Sequence, residues 1–536
     1  MNQLSNRNST LAERTAIDLG AGRLSEAESG CRRILAERPD DGGALRMLGI
    51  IAFRSGRPDA ALRLIERAVT ENPSDAEAQN SLGQVHLQMG DSLAAARAFE
   101  SALSLNSQNL AARMNLAVLL RGGGDFEGAL AHLMPALEYQ RANPDLLNEI
   151  GVAHLHAGRV TIAMEWLQQA VRMQPGSAIY HNHLALALQG VGEIEKAIAG
   201  FDSAIAIDPQ YTEARWNRSV ALMAIGRYRE GVEDWHLRRL HRSFRPRRID
   251  LPEWDGKKLD AGRLLVHAEQ GLGDQILYAS LLPLIAERAP EITIETEPRL
   301  VRLFARSFPG ANVIAAADQL RAEDLGGGIV ARHSIVDLAR ELAFASAADL
   351  PAQGYLKPDQ ARRDEFRARL EAFGPPPYVG ISWRSGADLS GGAKTIPLHQ
   401  WRKILLQGPA TFVNLQYGDT DDDVDKAARL SGARIYTDPG LDRFTDLDGL
   451  AAMTAALDQV ITTSNITPMI AGAVGVPCWI MLRKSAYWYW GTAATQSPFF
   501  ASVKCYRQST PGEWEDVIEQ LALDFRHALK LENRGN

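Results

Sequence analysis

Seven glycines recur in this chain at a fixed spacing of 34 residues: Gly22, Gly56, Gly90, Gly124, Gly158, Gly192 and Gly226. That period predicts a helix-turn-helix unit stacked on copies of itself, because one such unit cannot bury its apolar face alone. Five residues after each glycine stands a small residue, Ala27, Ala61, Ala95, Ala129, Ala163, Ala197 and finally Gly231. Seven residues before the glycine the series runs Gly49, Gly83, Ala117, Gly151, Ala185 and Ser219. Small residues on two facing helices let them approach closely, and a larger slot (Cys31, Ile65, Phe99, Leu133, Leu167, Phe201, Trp235) fills the space left. Pro39, Pro73, Pro175 and Pro209 stop the second helix of their units. Ser107 and Arg141 hold that place in the two middle units, whose turns must rely on other residues.

The pattern ends near Trp235, and a different grammar begins at Arg263. A chain of 536 residues is too long for one core, and three or four domains of about 150 residues are expected. A net charge of −7 argues against a general nucleic-acid binder. Six arginines between Arg238 and Arg248 are read as a solvated face or a domain seam rather than a nucleic-acid site. The opening MNQLSNRNST carries no apolar secretory stretch. The apolar run Ile466–Leu482 is broken by prolines and glycines, so no membrane span is expected. Three scattered cysteines (Cys31, Cys478, Cys505) suit neither a disulfide framework nor a zinc site, and predict a reducing cytoplasm.

Beyond Arg263, apolar strand-like runs alternate with helical ones: LLVHAE, ITIETE and ANVIAA, then from Tyr378 YVGISW, FVNLQY, ARIYTD, DQVITTS and PCWIML. Such alternation predicts two parallel sheets with crossover helices. Gln360–Pro377, polar and then Pro-rich, reads as a hinge between them. The expected domains are a repeat array at 8–243, a linker at 244–262, one α/β domain at 263–372, a second at 376–511, and a C-terminal helix at 512–536 that packs back on the hinge or simply caps the fold.

Two loops carry candidate chemistry. After the first strand, AEQGLGDQ places Gly271 and Gly273 in a strand-to-helix turn, with Asp274 at the sheet edge where open α/β folds bind ligands. In the second domain, Ser464, Asn465, Ile466 and Thr467 join a strand to a helix beginning at Pro468, so backbone N–H groups there face an anion; an ordinary helix cap explains the same residues. Arg384 and Lys394 flank a Gly/Ser-rich loop on a neighbouring strand. Two cations and a helix start at one sheet edge form a candidate phosphate clamp. DTDDDVD at 419–425 fails as a calcium loop, with Val424 where glycine is required, and reads as a solvated helix start. On the array, Asn80, Asn115, Asn148, Asn182 and Asn217 recur near the 34-residue step and are candidates to bond an extended peptide in a groove. Helix-helix bonding would use the same residues.

The repeats resemble the tetratricopeptide-repeat (TPR) family over about 235 residues, which implies an α-solenoid with a concave protein-binding groove; dimerisation or spacing is the alternative use. The motifs AEQGLGDQILYASLLPL, KTIPLHQW and SNITPMIAGAVGVPCWIML resemble the heptosyltransferase-like glycosyltransferases of the GT-B fold, from about Trp254 to Arg507. Trp254, Gly256 and the aromatic segment Tyr487–Phe500 resemble bacterial TPR-fused glycosyltransferases more closely. TPR plus GT-B is also similar to protein O-GlcNAc transferases and to enzymes that attach a nonulosonic acid to flagellin.

The fold expected from these resemblances is an α-solenoid followed by a GT-B pair of Rossmann-like α/β domains. They imply metal-independent transfer of a sugar from a nucleotide-sugar donor to protein Ser or Thr hydroxyls, with no cofactor and flagellin a possible acceptor. Asp274 matches the family's proposed general base and Lys394 its donor-phosphate lysine, with Glu269 and His267 as fallback bases. Ser464 and Met469 depart from the family's Asp and His at the donor ribose. Two rival functions stay open: a binding scaffold with a degenerate transferase half, and a transferase acting on a glycan or lipid.

Overall fold

The computed structural model describes residues 2–240, 244, 249–317, 325, 327–342, 354–386, 394–492 and 495–535. Most of the Gly/Ser loop before Lys394, together with Arg242, Arg245, Arg247 and Arg248, lies outside these residues. The chain divides into two compact bodies, Met1–Ala187 and Leu188–Asn536.

The first body is an all-helical array of antiparallel pairs: α1 (Asn2–Gly20) with α2 (Leu24–Glu37), α3 (Gly42–Arg54) with α4 (Pro58–Glu71), α5 (Ala76–Gln88) with α6 (Ser92–Leu105), α7 (Leu110–Gly122) with α8 (Phe126–Leu133), and α9 (Pro144–His156) with α10 (Val160–Met173). The periodic glycines make the turns. Gly22, Gly56, Gly90, Gly124, Gly158, Gly192 and Gly226 all have φ between 70 and 87°, the left-handed region closed to most side chains. The small-residue slot is just as strict. A Cβ at Gly83 would lie 2.5 Å from the Phe99 ring, and one at Gly151 would lie 2.6 Å from Leu167. Small and large slots therefore fit one another within each unit. A further series at the 34-residue step starts the next helix: Asp41, Asp75, Asn109 and Asn143 each accept an amide hydrogen bond from its first turn. Asn109 and Asn143 thus mark the turns in the units that lack the proline.

The candidate peptide ladder is turned inward. Asn80, Asn148, Asn182 and Asn217 are buried. Asn115 donates to the Asn80 side chain at 2.9 Å, and His183 Nδ1 lies 2.8 Å from Asn148 Oδ1. Asn80, Asn115 and Asn148 join neighbouring units and Asn182 and Asn217 are buried, so the five do not form the open ladder the spacing suggested.

The second body holds the last repeat helices and both sheets. Helix α11 (Ala178–Gly190) leads into it, followed by α12 (Ile194–Ile207), α13 (Thr212–Ala224) and α14 (Tyr228–Trp235). The array therefore does not end as a separate unit at residue 243. Met223, Tyr228 and Val232 share one core with Tyr278, Trp488 and Phe499, and the rings of Tyr228 and Phe499 meet edge to face at 5.5 Å.

The first sheet is parallel, in the order β3-β2-β1-β4, from β1 (Arg263–His267), β2 (Ile292–Thr296), β3 (Asn312–Ala315) and β4 (Ile329–Ser334). The second, also parallel, runs β10-β9-β8-β5-β6-β7, from β5 (Tyr378–Ser382), β6 (Thr411–Asn414), β7 (Arg434–Tyr436), β8 (Gln459–Thr463), β9 (Cys478–Leu482) and β10 (Val503–Arg507). Every residue of β5 is buried, as expected for a central strand covered on both faces. The sequence reading missed β4 and β10. In β4, IVARHS carries Arg332 and His333, which break the apolar run used to find the other strands.

Two further expectations change. Gln360–Phe373 is a helix, α17, and not a hinge. Asp359 caps it by accepting from Arg362 N–H, Phe366 and Leu370 are buried, and Arg367 pairs with Asp458 at 2.8 Å beside the second sheet. Helix α21 (Glu515–Gly535) covers that same sheet instead of returning to the supposed hinge. Ile518, Leu521 and Phe525 share a core with Phe412, and Asp524 accepts from Lys504 of β10 at 2.6 Å.

Candidate functional site

The glycine loop joins β1 to α15 (Leu272–Ala279). Its special backbone position is Gln270, the one non-glycine residue with positive φ (62°) among the described residues. Gly271 is extended, and neither a Cβ there nor one at Gly273 would meet an atom closer than 3.5 Å. The turn therefore needs Gln270 in a conformation that costs about 1 kcal/mol, rather than needing the two glycines. Such strain is concentrated at functional sites.

Asp274 sits in the first turn of α15 and accepts from Gly271 N–H at 3.2 Å. Burial pushes its carboxyl up to about 6, outweighing the hydrogen bonds and the Arg238 charge that favour the ionised form. Glu269 is not free to serve as a base. Arg238 grips it with two bonds of 2.6 and 2.7 Å, Ser334 Oγ donates to it at 2.6 Å, and Arg238 also binds Asp337 at 2.6 Å. Arg238 thus forms a seam between the segment after α14 and the first sheet. His267 is buried and its imidazole pKa is lowered chiefly by burial, which fits a core residue.

In the second α/β domain the candidates divide. Ser464 Oγ accepts from the Trp490 indole N–H at 3.2 Å. Asn465 donates to Ser382 at 2.7 Å and to the Arg384 carbonyl at 3.1 Å, and accepts from Thr467 N–H at 2.8 Å. It thus closes the turn leading into α20 (Thr467–Val474), whose N-cap position is Ile466. The Thr467 amide is occupied and Pro468 has none, so the helix start offers an anion less than its sequence suggested. Arg384 turns to the loop after β6, bonding the carbonyls of Tyr417 (3.4 Å) and Asp419, with Asp423 at 3.5 Å. Asp421, Asp422 and Asp423 open α18 (Asp421–Ser431), as the solvated-start reading expects. Arg384 and Lys394 do not form the clamp read from sequence.

Lys394 instead enters a cavity of about 410 Å³ with Ser464, Arg483 and Lys484. Its ammonium lies 4.3 Å from the centre of the Tyr487 ring, a cation–π contact. Among the described residues, none of the three cations has a carboxylate partner and no acidic residue lines the cavity. Arg483 and Lys484 escaped the sequence reading although they directly follow β9, at the carboxyl edge of the sheet where ligands of such folds bind. Tyr487 stacks on Tyr489 at 5.5 Å, and burial raises the Tyr489 phenol, with the charge of Asp274 adding to it. Asp274 and Lys394 thus both act on the Tyr487–Trp490 segment, and a Cβ at Gly273 would touch Met469 of α20 at 3.7 Å.

The tetratricopeptide-repeat family model matches residues 18–76, 46–109, 80–133 and 119–178. The N-terminal region is a TPR array. Protein FlbA of Caulobacter vibrioides is 33% identical over 332 residues, which cover 58% of this chain. The match spans about half of that relative, 54% of its length. Similar solved structures include TTC0263, a thermophilic TPR protein of Thermus thermophilus, at 27% identity over 34% of this chain and 99% of that one, with a TM-score of 0.31. YrrB, a TPR protein with an unusual peptide-binding site, is 21% identical over 34% of this chain and 95% of that one, with a TM-score of 0.29. Among the described residues no helix is long and apolar enough to cross a membrane.

Proposed function

We propose that this chain transfers a sugar from a nucleotide-sugar donor to Ser or Thr hydroxyls of a protein bound by its repeats. The observation that carries the reading is the cavity in which Lys394, Arg483 and Lys484 converge without a carboxylate. Lys394 is buried and Lys484 half-buried, with Arg483 exposed beside them. A buried cation is costly unless an anion compensates it, and a nucleotide diphosphate or monophosphate supplies that charge. Tyr487 and Trp488 in the same wall suit the base or sugar ring.

Asp274 accepts the acceptor hydroxyl proton as that oxygen attacks the anomeric carbon. The bond from that carbon to the donor phosphate breaks, and the nucleotide leaves with the electron pair, its charge held by the three cations. No metal takes part in this scheme. Flagellin is the acceptor that the family resemblance suggests, and a nonulosonic acid the sugar. The test is transfer by the purified protein, read by intact mass of the acceptor. Asp274→Asn lowers the rate about 10²–10⁴-fold, the range for removing a general base. In the wild type the rate falls tenfold per unit below about pH 6, as the Asp274 carboxyl takes up its proton. An unchanged rate in Asp274→Asn removes Asp274 from the reaction.

A binding scaffold without transfer is the second reading, favoured by the internal pairing of Glu269 and Arg384. Absence of nucleotide affinity in the wild type selects it.

A further inference from the structure

Resting on the donor-site reading above, we infer that the last repeat helices are part of the small-molecule site, and that Gln189 reads the uncharged portion of its anionic ligand. Gln189 at the end of α11, Gly192 in the following turn, Ile194 at the start of α12 and Val220 of α13 line the same cavity as the three cations. Charge is therefore confined to one side. A volume of about 410 Å³ falls in the range of organic-ligand pockets and greatly exceeds one phosphate group. A ligand that sets its phosphates on Lys394, Arg483 and Lys484 must lay its neutral portion against the repeat wall.

Gln189 is the only residue among these four whose side chain can form a hydrogen bond. It is half-buried, and its amide has no partner among the described residues. An amide that both donates and accepts suits sugar hydroxyls or the edge of a base. The wall also touches the cationic side directly. Gly192 has φ 87°, and a Cβ placed there would lie 3.6 Å from Lys484 Cε. The turn between α11 and α12 thus carries the stem of one of the phosphate-binding residues. The repeats accordingly contribute to donor selection as well as to protein binding.

The experiment is titration calorimetry on the full chain with CMP, UDP, GDP and inorganic pyrophosphate, paired with hydrogen exchange over residues 185–224. At least one nucleotide should bind and should slow exchange in α12 and α13. Gln189→Ala should weaken that nucleotide about tenfold and pyrophosphate less than twofold, with Gln189→Asn recovering part of the loss. Lys484→Ala should weaken both tenfold or more. If the nucleotide binds but Gln189→Ala leaves it unchanged, or weakens pyrophosphate equally, the inference about the repeat wall is wrong while the donor site stands. The same holds if exchange in α12 and α13 does not respond. If neither the nucleotides nor pyrophosphate bind the wild type, the donor site itself falls.

Discussion

The repeats of the first body and the α/β region of the second are held together by opposite strategies. In the repeats every structural position has counterparts 34 residues away, such as the turn glycines and the Gly83–Phe99 fit. Damage to one unit should stay near that unit, because each repeat contacts only its neighbours. In the α/β region the deciding contacts are singular. Arg238 ties together Glu269 and Asp337, 31 and 99 residues further along the chain. Arg239 also pairs with Asp337, but no repeated unit duplicates the grip on Glu269. Redundancy makes the array tolerant, and its absence concentrates both stability and chemistry in the other region.

Arg238→Ala should break the comparison most visibly. It leaves Glu269 with the Ser334 hydroxyl and Asp337 with Arg239, in a site where Asp337 is buried and Glu269 nearly so. Removing one partner of such a buried pair costs about 3–5 kcal/mol. Differential scanning calorimetry should show the transition of the second body falling while that of the repeats holds. A uniform fall of both would mean that the two bodies unfold as one.

Phe99→Ala probes the other side. The ring is fully buried against Gly83, and truncation should cost about 3 kcal/mol. Native-state hydrogen exchange should speed up in α5 and α6, and little in α9 or α10. Acceleration spread evenly over the array would contradict the local account.

The same contrast explains what could be read from sequence. The turn glycines, small slots and prolines repeat, so seven weak signals reinforce one another and the repeat helices follow. The strands with unbroken apolar runs were also visible. Strand β4 was not, because Arg332 and His333 serve contacts specific to this chain: Arg332 pairs with Glu253 at 3.0 Å and the His333 ring meets Trp254. Helix α17 was hidden by its arginines, whose partners Asp446, Asp458 and Asp438 lie far along the chain. At the candidate site, residue type was legible and engagement was not. Glu269, Arg384 and Asn465 have suitable chemistry, yet each is bound to residues that no local spacing reveals. Arg483 and Lys484 had the reverse fate, since no motif marked them and only the fold brings them to Lys394.

Asp274→Asn sharpens the comparison at a smaller scale. The folded carboxyl titrates near 6 against an ordinary 3.8, so folding favours its protonated form. That contribution is present at acid pH and is lost as pH rises from about 4 through 6. Above pH 6 the wild type holds an ionised group in an unfavourable place. A shift of this size corresponds to about 3 kcal/mol at most, and roughly 2 kcal/mol is expected after solvent access is allowed for. Asp274→Asn should therefore raise thermal stability at pH 7.5 by about that amount, and by nothing at pH 4, while transfer is lost. Equal effects at both pH values would show that the gain has another origin.

The smallest effect separates an interior amide from a groove amide. Asn80 is buried and accepts from Asn115 in the next unit at 2.9 Å. Asn115→Ala leaves the Asn80 oxygen without that donor, at a cost of about 1 kcal/mol. Because the loss lies in a stranded partner, the double variant Asn80→Leu/Asn115→Leu should recover most of it. A double-mutant cycle measures the coupling directly. Affinity for a bound protein should be unchanged in the double variant, since neither amide is needed to face a groove. If affinity falls while stability is recovered, the amides serve the partner, and the array is less purely structural than its period implies.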